Sequence, residues 1–465
     1  MKPPRILLFL AAVIAALAVV GELVPADGVE VGGHHLGFAS LHSLVERHEA
    51  PAPVEAAEPP EMLQLRDSVD YYRKVLASGD LRFWLPDPHY FDSFWRAAER
   101  ARRDSRTLRI LHYGDSQIEM DHITSHLRAH LQRRFGGGGP GMVPFHTITP
   151  SFAISQSGTG ELTHLSSFGD STVVRSSGNY GPMMQCFRME GAAGTTLRAS
   201  RSSGVDDRVK HFSRITLVHN NRGRHLDATL SDRQHKADYP QSADAAGIGS
   251  LTWQLDSSTN TVRLNVRGAA DLYCILLDDG PGLAVDNIPM RGCSGQQFTL
   301  VPVDKLTAAY EQMDVGLIIL QFGGNSVPYL KTGKQISTYC QSLGRQIDHL
   351  HLCCPAAKLL FVGPSDMSTR LRGQLQTYPV IPQLIDSLAA TAVAHGAAFW
   401  SIYHAMGGQN TMPEWSRQGL AGQDYIHFSQ RGADLMGDRL AQALDNSYTL
   451  FRLERRMKRH KTATR

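Results

Sequence analysis

Residues 108–116 of this chain read LRILHYGDS, an apolar run that ends in Gly-Asp-Ser. The run has the length and the branched, aromatic composition of a buried strand. A helical pattern follows and ends at the glycines 136–139. The apolar side of that helix is formed by Ile118, Ile123, Leu127, Leu131 and Phe135. A strand that leads into a helix predicts an α/β unit, with Ser116 at the strand end, where open α/β sheets bind ligands.

Three later apolar runs have the same buried-strand character, at 315–322, 358–363 and 397–403. Each is followed by a helical stretch, which is typical of parallel strands with helices on both faces of the sheet. Residues 90–102 also carry a helical pattern with one apolar face, ahead of the first strand. Together these elements predict an α/β domain with a parallel sheet.

The chain between residues 145 and 287 has a different character. It is rich in Ser, Thr, Val and Gly, and turn residues separate short runs in which apolar and polar residues alternate. Such runs predict antiparallel strands of an inserted β-sandwich. The clearest runs are 171–175, 214–219, 251–255 and 261–267. An α/β domain split by a β-rich insertion is therefore the predicted fold class.

The N-terminus predicts export from the cytoplasm. Lys2 and Arg5 precede an unbroken apolar run at 6–20, which is the pattern of a secretory signal. Small residues at 16–18 offer a cleavage site. If the segment is retained, it is long enough to cross a bilayer, and the two positive charges orient the rest of the chain outward. Of the two fates we favour a retained anchor, which makes the membrane a partner and the periplasm or cell envelope the location.

The sequence divides the chain into six segments. Residues 49–61 read EAPAPVEAAEPPE, a spacer too poor in large apolar residues to fold. In chain order we expect a signal peptide or anchor at 1–24, a linker at 25–61, the first α/β part at 62–144, the β-rich insertion at 145–287, the second α/β part at 288–450 and a basic tail at 451–465.

Charge and cysteine content restrict the partners. The net charge is only +3, from 47 basic and 44 acidic residues, so nothing indicates a nucleic-acid-binding protein. The basic tail is expected to be solvated, with contact to anionic lipid head groups as the alternative. Six cysteines permit disulfides without requiring them. The group His349, His351, Cys353 and Cys354 lacks a metal-site spacing, so we expect buried free thiols and no bound metal.

Candidate catalytic residues lie next to three of the predicted elements. Ser116 sits at a strand-to-helix turn, where a helix N-terminus would favour a developing oxyanion. Asn325 lies three residues after the strand at 315–322, and its amide can point into the same crevice. Asp424 precedes His427 by three residues, so its carboxylate can hold the imidazole as a general base for Ser116. Each feature alone is also typical of an ordinary cap, turn or surface loop.

The order of these features resembles the SGNH/GDSL hydrolase superfamily over about residues 109–446. The blocks that carry the resemblance are HYGDSQIEMDHITSHLRAHLQRRFGGGGPG at 112–141, RGCSG at 291–295, QFGGNS at 321–326 and DYIHFSQRG at 424–432. The resemblance is greatest to bacterial exported esterases that remove O-acetyl groups from peptidoglycan or other polysaccharides. It implies a flavodoxin-like, three-layer hydrolase domain with no organic cofactor and no metal.

The resemblance also implies residue roles. Ser116 would be the nucleophile, His427 the general base and Asp424 the residue that orients it. The oxyanion hole would combine the Ser116 and Gly292 backbone N–H groups with the Asn325 side chain. Gly295 would replace Gly292 if the loop shifts. The family pattern continues with Asp after the asparagine, where this chain has Ser326, so the sequence leaves the brace of Asn325 unassigned.

The implied activity is a serine esterase that deacetylates a cell-envelope or extracellular glycan through an acetyl-Ser116 intermediate. Two alternatives stay open at this point. A polysaccharide O-acetyltransferase would use the same triad with a sugar hydroxyl as acceptor. A non-catalytic glycan-binding protein would rely on the insertion alone, although the intact set of Ser116, Asp424 and His427 argues against it.

Overall fold

The structure is a computed structural model that describes residues 3–25, 28–37, 60–169, 173–175, 178–232 and 234–463. The described α-helices are α1 Pro3–Leu23, α2 Pro60–Ala77, α3 Asp92–Ala101, α4 Thr124–Phe135, α5 Val303–Tyr310, α6 Gly333–Cys353, α7 Ile381–Ala394, α8 Ile402–Ala405, α9 Met412–Arg417 and α10 Gln430–Ala463. The described strands are β1 Val29–Val31, β2 His34–Leu36, β3 Phe83–Trp84, β4 Thr107–Gly114, β5 Gly141–Val143, β6 Ile154–Ser166, β7 Gln185–Ala199, β8 Phe212–Asn220, β9 Leu226–Asp232, β10 Ala237–Ala243, β11 Ile248–Thr259, β12 Thr261–Asp278, β13 Gly282–Pro289, β14 Val315–Gln321, β15 Lys358–Gly363, β16 Ser368–Leu371, β17 Gln374–Thr377 and β18 Ala398–Ser401.

The chain divides into two compact units, Met1–Leu63 and Gln64–Arg465. The first unit contains α1, whose stretch Pro4–Leu23 is long and apolar enough to cross a membrane. Strands β1 and β2 form a short antiparallel hairpin within the range 25–61 that the sequence assigns to a linker. Most of that linker lies outside the described residues, as does part of the strand predicted at 171–175.

A six-stranded sheet forms the centre of the second unit. Its order is β13-β4-β14-β15-β18-β3, and all neighbours are parallel except the edge strand β3. All eight residues of β4 are buried. Leu111 and Tyr113 contribute to one apolar core and Leu108 and Ile110 to another, because successive side chains of a strand point to opposite faces. Both faces are therefore covered, which explains the continuous apolar run in the sequence.

Helices cover each face of this sheet. The core that holds Leu111 also receives side chains from α5, α6 and α7, and the core that holds Ile110 receives side chains from α3, α4 and α10. The predictions of strands at 315–322 and 358–363 and of a helix at 90–102 are confirmed, whereas the strand predicted at 397–403 is limited to Ala398–Ser401 because Ile402 begins α8. The coarse prediction of an α/β fold with a parallel sheet is thus confirmed.

The β-rich region forms one eight-stranded sheet, with order β10-β9-β12-β7-β6 and with β5, β8 and β11 attached through β12 and β8. All named strand pairs in it are antiparallel. The strands that were expected to form two separate sheets are hydrogen-bonded into one, because β12 is 18 residues long and pairs with both sets of strands. Its first half pairs with β9 and its second half with β8. The strands enclose a separate apolar core.

Three expectations need correction. Strand β13 lies largely within the range 145–287 assigned to the insertion, yet it pairs in parallel with β4. The helix after Ser116 begins only at Thr124, because a 3₁₀ turn at Ser116–Ile118 comes first. The basic tail at 451–465, which was expected to be solvated, continues helix α10 to Ala463. Its Phe451 and Glu454 are buried against the rest of the unit.

The cysteines are free thiols, five of them buried and Cys354 partly buried. Burial raises the pKa of Cys293 to about 12 and that of Cys353 to about 11. Such thiols pack as small apolar side chains and are poor nucleophiles. Within the part of the chain that the structure describes, no group of three or more His, Cys, Asp or Glu residues is placed to hold a metal ion.

Candidate active site

Strand β4 places Ser116 at the carboxyl edge of the parallel sheet. The Asp115 N–H donates to the Gln321 carbonyl at the end of β14, 3.3 Å away, so the turn is fixed to the neighbouring strand. The Asp115 side chain caps the 3₁₀ turn by accepting from the Gln117 N–H at 3.0 Å. A Cβ on Gly114 would lie 2.9 Å from the end of the Ile118 side chain, so any larger residue at this position would require Ile118 to move.

Ser116, His427 and Asp424 form one hydrogen-bonded chain. The Ser116 hydroxyl lies 2.8 Å from His427 Nε2, and His427 Nδ1 lies 2.7 Å from Asp424 Oδ2. With the imidazole neutral, Nδ1–H donates to the carboxylate and Nε2 accepts from the hydroxyl. This is the geometry in which a serine can lose its proton as it attacks. The structure thus brings Ser116 together with Asp424 and with His427, which lies 311 positions away in the sequence.

Asp424 is held ionised by its own loop. Burial raises its pKa, but hydrogen bonds from the His427 side chain and from the Ile426 and His427 N–H groups outweigh that effect and lower the pKa below its ordinary value. The two backbone bonds measure 3.0 and 3.1 Å. A three-residue spacing therefore lets one carboxylate bind its histidine and cap the turn that carries it.

Asn325 lies beside the serine turn, in the 3₁₀ turn after β14. Its Nδ2 group donates to the Cys293 carbonyl at 3.0 Å and to Asp115 Oδ2 at 3.4 Å. These contacts provide the brace that the sequence left unassigned, since Ser326 does not supply it. Burial raises the pKa of Asp115 to about 6, against the opposing effects of the Gln117 N–H and the charge of His427.

Gly292 and Gly295 differ in their surroundings. Both have positive φ angles, +76° and +80°. A Cβ on Gly295 would lie 2.9 Å from the Phe322 ring, whereas one on Gly292 would meet nothing within 4 Å. Gly295 is thus packed against the core, and Gly292 has open space beside it. This difference favours Gly292 as the glycine that faces a ligand, although its role as an oxyanion donor stays a prediction.

Sequence reasoning missed Gln117. Its Nε2 group donates to the Ile426 carbonyl at 2.7 Å, and its Oε1 accepts from the Phe428 N–H at 3.2 Å. The two ends of one amide therefore bind the residues on either side of His427. The only sequence signal was the position of a polar residue directly after Ser116.

Glu119 and Arg291 form a second link that the sequence did not reveal. Arg291 Nε donates to Glu119 Oε1 at 2.7 Å, and its Nη2 contacts the other carboxylate oxygen. Glu119 is nearly buried, and the Arg291 side chain is exposed. The Glu119 N–H donates to the Ser116 carbonyl, and Arg291 precedes Gly292. This ion pair therefore ties the serine turn to the loop that holds Gly292.

Two cavities meet at the reactive side chains. A pocket of about 190 Å³ lies on the Asn325 side and has apolar walls that include Phe322, Pro364 and Met367. A groove of about 740 Å³ opens on the opposite side. Ser116 and His427 line both cavities. A substrate bound across this junction would place one part on each side of the serine hydroxyl.

The comparisons with known proteins agree with the observed α/β fold. No family model and no curated protein sequence matches the chain. A solved structure of a peptidoglycan O-acetylesterase is similar over 77% of this chain and 96% of that chain, with 21% identity and a TM-score of 0.62. The similarity shows a shared fold, with a parallel α/β sheet and additional strands.

Two further solved structures are much less similar. A family two carbohydrate esterase from Clostridium thermocellum, in complex with cellohexaose, covers 57% of this chain and 95% of its own, with 10% identity and a TM-score of 0.27. The periplasmic domain of a lipopolysaccharide acetyltransferase from Salmonella ser. Paratyphi A covers 35% and 72%, with 12% identity and a TM-score of 0.26. TM-scores this low carry no conclusion about the present chain.

Proposed function

We propose that the protein is a serine esterase that removes O-acetyl groups from a cell-envelope or extracellular glycan. The observation that carries the proposal is the hydrogen-bonded chain Ser116–His427–Asp424 at the carboxyl edge of the parallel sheet. The peptidoglycan O-acetylesterase that shares the fold supports the choice of substrate class.

The proposed reaction uses Ser116 as nucleophile. The hydroxyl oxygen attacks the ester carbonyl while His427 Nε2 takes its proton, and Asp424 stabilises the resulting imidazolium. The oxyanion is held by the Ser116 and Gly292 N–H groups and by Asn325 Nδ2, which exchanges its 3.4 Å contact with Asp115 Oδ2 for the oxyanion. The tetrahedral intermediate collapses to acetyl-Ser116, and His427 returns the proton to the departing sugar oxygen. Water activated by His427 then releases acetate.

The smaller pocket is proposed to take the acetyl group. It lies on the Asn325 side, where the carbonyl oxygen must point to reach the amide, and its apolar walls suit a methyl group. Its volume of about 190 Å³ is well below that of the groove opposite. We therefore expect turnover to fall steeply as the acyl chain lengthens.

The finer fold and location are part of the proposal. In chain order the parallel strands follow 2-1-3-4-5, which is the flavodoxin-like order and supports a three-layer SGNH-type domain. We propose that this domain has two parts on either side of the β-rich insertion. We also propose that α1 directs export and keeps the enzyme at the membrane, in the periplasm or cell envelope.

The test is acetate release by the full chain from 4-nitrophenyl acetate and from an acetylated glycan. Ser116→Ala should abolish release from both substrates, because it removes the hydroxyl that is hydrogen-bonded to His427. Ser68→Ala, an exposed serine on α2, is the matched control and should keep the wild-type rate. Undiminished release by Ser116→Ala would refute the proposal.

Product analysis separates hydrolysis from transfer. The full chain is supplied with an acetyl donor and an unacetylated oligosaccharide, and free acetate is measured against acetylated sugar. The proposal predicts acetate as the main product. Acetylated oligosaccharide as the main product would instead identify an O-acetyltransferase that uses the same triad.

A further inference from the structure

The larger groove beside Ser116 lies between the parallel sheet and the β-rich insertion. Half of its lining residues come from the insertion, from the segment 148–150, from β6 and the turn after it, and from the start of β7. The other half includes Ser116 and His427. The insertion therefore forms one wall of the cavity that holds the reactive serine.

The size and position of the groove suit the alcohol side of an ester. An ester has an acyl part and an alcohol part, and the serine must attack the carbonyl between them. The pocket near Asn325 has the smaller volume, so the larger part of the substrate belongs in the groove of about 740 Å³. That volume lies in the range of ligand-binding cavities.

The chemistry of the groove is mostly uncharged. His164 Nε2 donates to Gln185 Oε1 at 3.0 Å, and the His164 ring stacks on Phe187 at a centroid distance of 5.1 Å. Thr149 adds a hydroxyl group. Imidazole, amide and hydroxyl groups can each donate or accept, which matches sugar hydroxyls.

The charged side chains of the groove do not indicate an anionic ligand. The groove-lining cation Arg291 already binds the carboxylate of Glu119 in a two-point contact. Burial lowers the pKa of His122, which keeps that imidazole neutral near neutral pH. A polyanionic chain would find no uncompensated positive charge among the described lining residues.

We propose that this groove binds an uncharged, hydroxyl-rich glycan chain, with His164 and Gln185 of the insertion as contacts. The proposal rests on the esterase function and assigns the insertion a part in substrate binding. Binding there would hold the sugar hydroxyl that carries the acetyl group next to Ser116. The insertion then determines which polymer is deacetylated, and the triad determines the reaction.

The experiment compares a polymer with a small reporter on the full chain. We take the ratio of kcat/KM for acetylated xylan to kcat/KM for 4-nitrophenyl acetate. His164→Ala and Gln185→Ala should lower this ratio at least tenfold, mainly through KM for the polymer. Thr149→Trp, which narrows the groove from the loop at 148–150, should lower it as well without removing either contact. Gln241→Ala on β10, outside the groove, is the control and should leave the ratio unchanged.

The possible outcomes separate the groove proposal from the esterase function. An unchanged ratio in all three groove variants would overturn the groove proposal while leaving the esterase function intact. Acetylated alginate preferred over acetylated xylan by the wild type would overturn the assignment of an uncharged ligand. Failure of the wild type on the reporter and on both polymers would overturn the esterase function and, with it, the groove proposal.

Discussion

Gln117 shows how a single side chain can align two parts of a catalytic site. It follows Ser116 directly, and its amide binds the Ile426 carbonyl and the Phe428 N–H. His427, the proposed general base, therefore cannot move with its loop without breaking these bonds. Misplacing a catalytic group by about 1 Å can cost about 100-fold in rate, so we regard Gln117 as a positioning residue.

We predict that Gln117→Leu lowers kcat for 4-nitrophenyl acetate by roughly 100-fold, because both links to the histidine loop are lost. The thermal midpoint should stay close to that of the wild type. Gln418→Leu changes an exposed glutamine away from the site and is the matched control. A loss of activity that merely follows a loss of thermal stability would contradict a positioning role.

Asp115 should make stability depend on pH in an unusual direction. Burial raises its pKa to about 6 in the folded protein, above the ordinary value of 3.8. Between these values the folded state keeps a proton that the unfolded chain has lost. The free energy of unfolding therefore falls as pH rises from about 4 to about 6, by up to about 3 kcal/mol.

Asp115→Asn should remove that fall. Denaturant unfolding of the wild type and the variant across this pH range measures the difference between them. Burial also lowers the pKa of His112 to about 4, so His112 makes the free energy of unfolding rise with pH. Both proteins contain His112, so its effect drops out of the difference between them. Parallel pH profiles for the two proteins would show that Asp115 does not titrate as described.

Residue order in the sequence was enough to select Ser116, Asn325, Asp424 and His427, because each follows a recognisable strand or precedes a helix. The structure shows that these side chains share one site, while their catalytic roles stay predictions. Gln117 and Glu119 were not found, because their partners lie 309 and 172 positions away. A polar residue beside a serine gives no indication of a partner so distant.

At the scale of elements, the main difference concerns the helix after the serine. The sequence predicted a helix directly after the turn at Ser116, but α4 begins at Thr124. Met120, Asp121 and Ile123 adopt positive φ angles on the way, a conformation that side chains disfavour and that residue pattern does not predict. The field of a helix N-terminus acts only near its first turn, so in the proposed reaction the oxyanion depends on hydrogen-bond donors and not on this field.

Strand β13 was missed for a related reason. It follows the long β12 after a short turn, so its alternating and apolar residues resemble the preceding strands of the insertion. Only the parallel register of Leu283 with Leu108 and its neighbours reveals that it belongs to the other sheet. A local pattern identifies a strand, but not which sheet it joins.

A buried ion pair joins the two sheets. Arg109 on β4 donates to Asp278 on β12 at 2.6 and 3.1 Å, and its Nε lies 3.4 Å from Asp286. The Arg109 and Asp278 side chains are 2% and 4% exposed. Removing one partner of such a pair leaves a buried charge uncompensated.

We predict that Asp278→Asn lowers the free energy of unfolding by about 3–5 kcal/mol. Asp314→Asn is the matched control, because its pair with Arg106 is exposed; it should cost less than about 1 kcal/mol. Denaturant unfolding of both full-length variants provides the comparison. Equal losses of unfolding free energy in the two variants would mean that burial of the ion pair does not determine the cost of breaking it.

For the whole molecule, the arrangement of the two sheets creates the site. The parallel sheet supplies Ser116, and the insertion completes the groove beside it. The sequence predicted both parts, but not that a cavity between them would include the serine. Packing of segments that are distant in sequence determines that cavity, and a pattern along the chain does not describe such packing.

Reaction of the full chain with a fluorophosphonate, followed by peptide mapping, tests the central claim most directly. Only a serine activated by a neighbouring base reacts readily with this probe. We predict one adduct, on the peptide that contains Ser116, with loss of acetate release in proportion to labelling and little labelling of His427→Ala. Acetate release that persists with Ser116 unlabelled, or an adduct on another serine that abolishes it, would contradict the account.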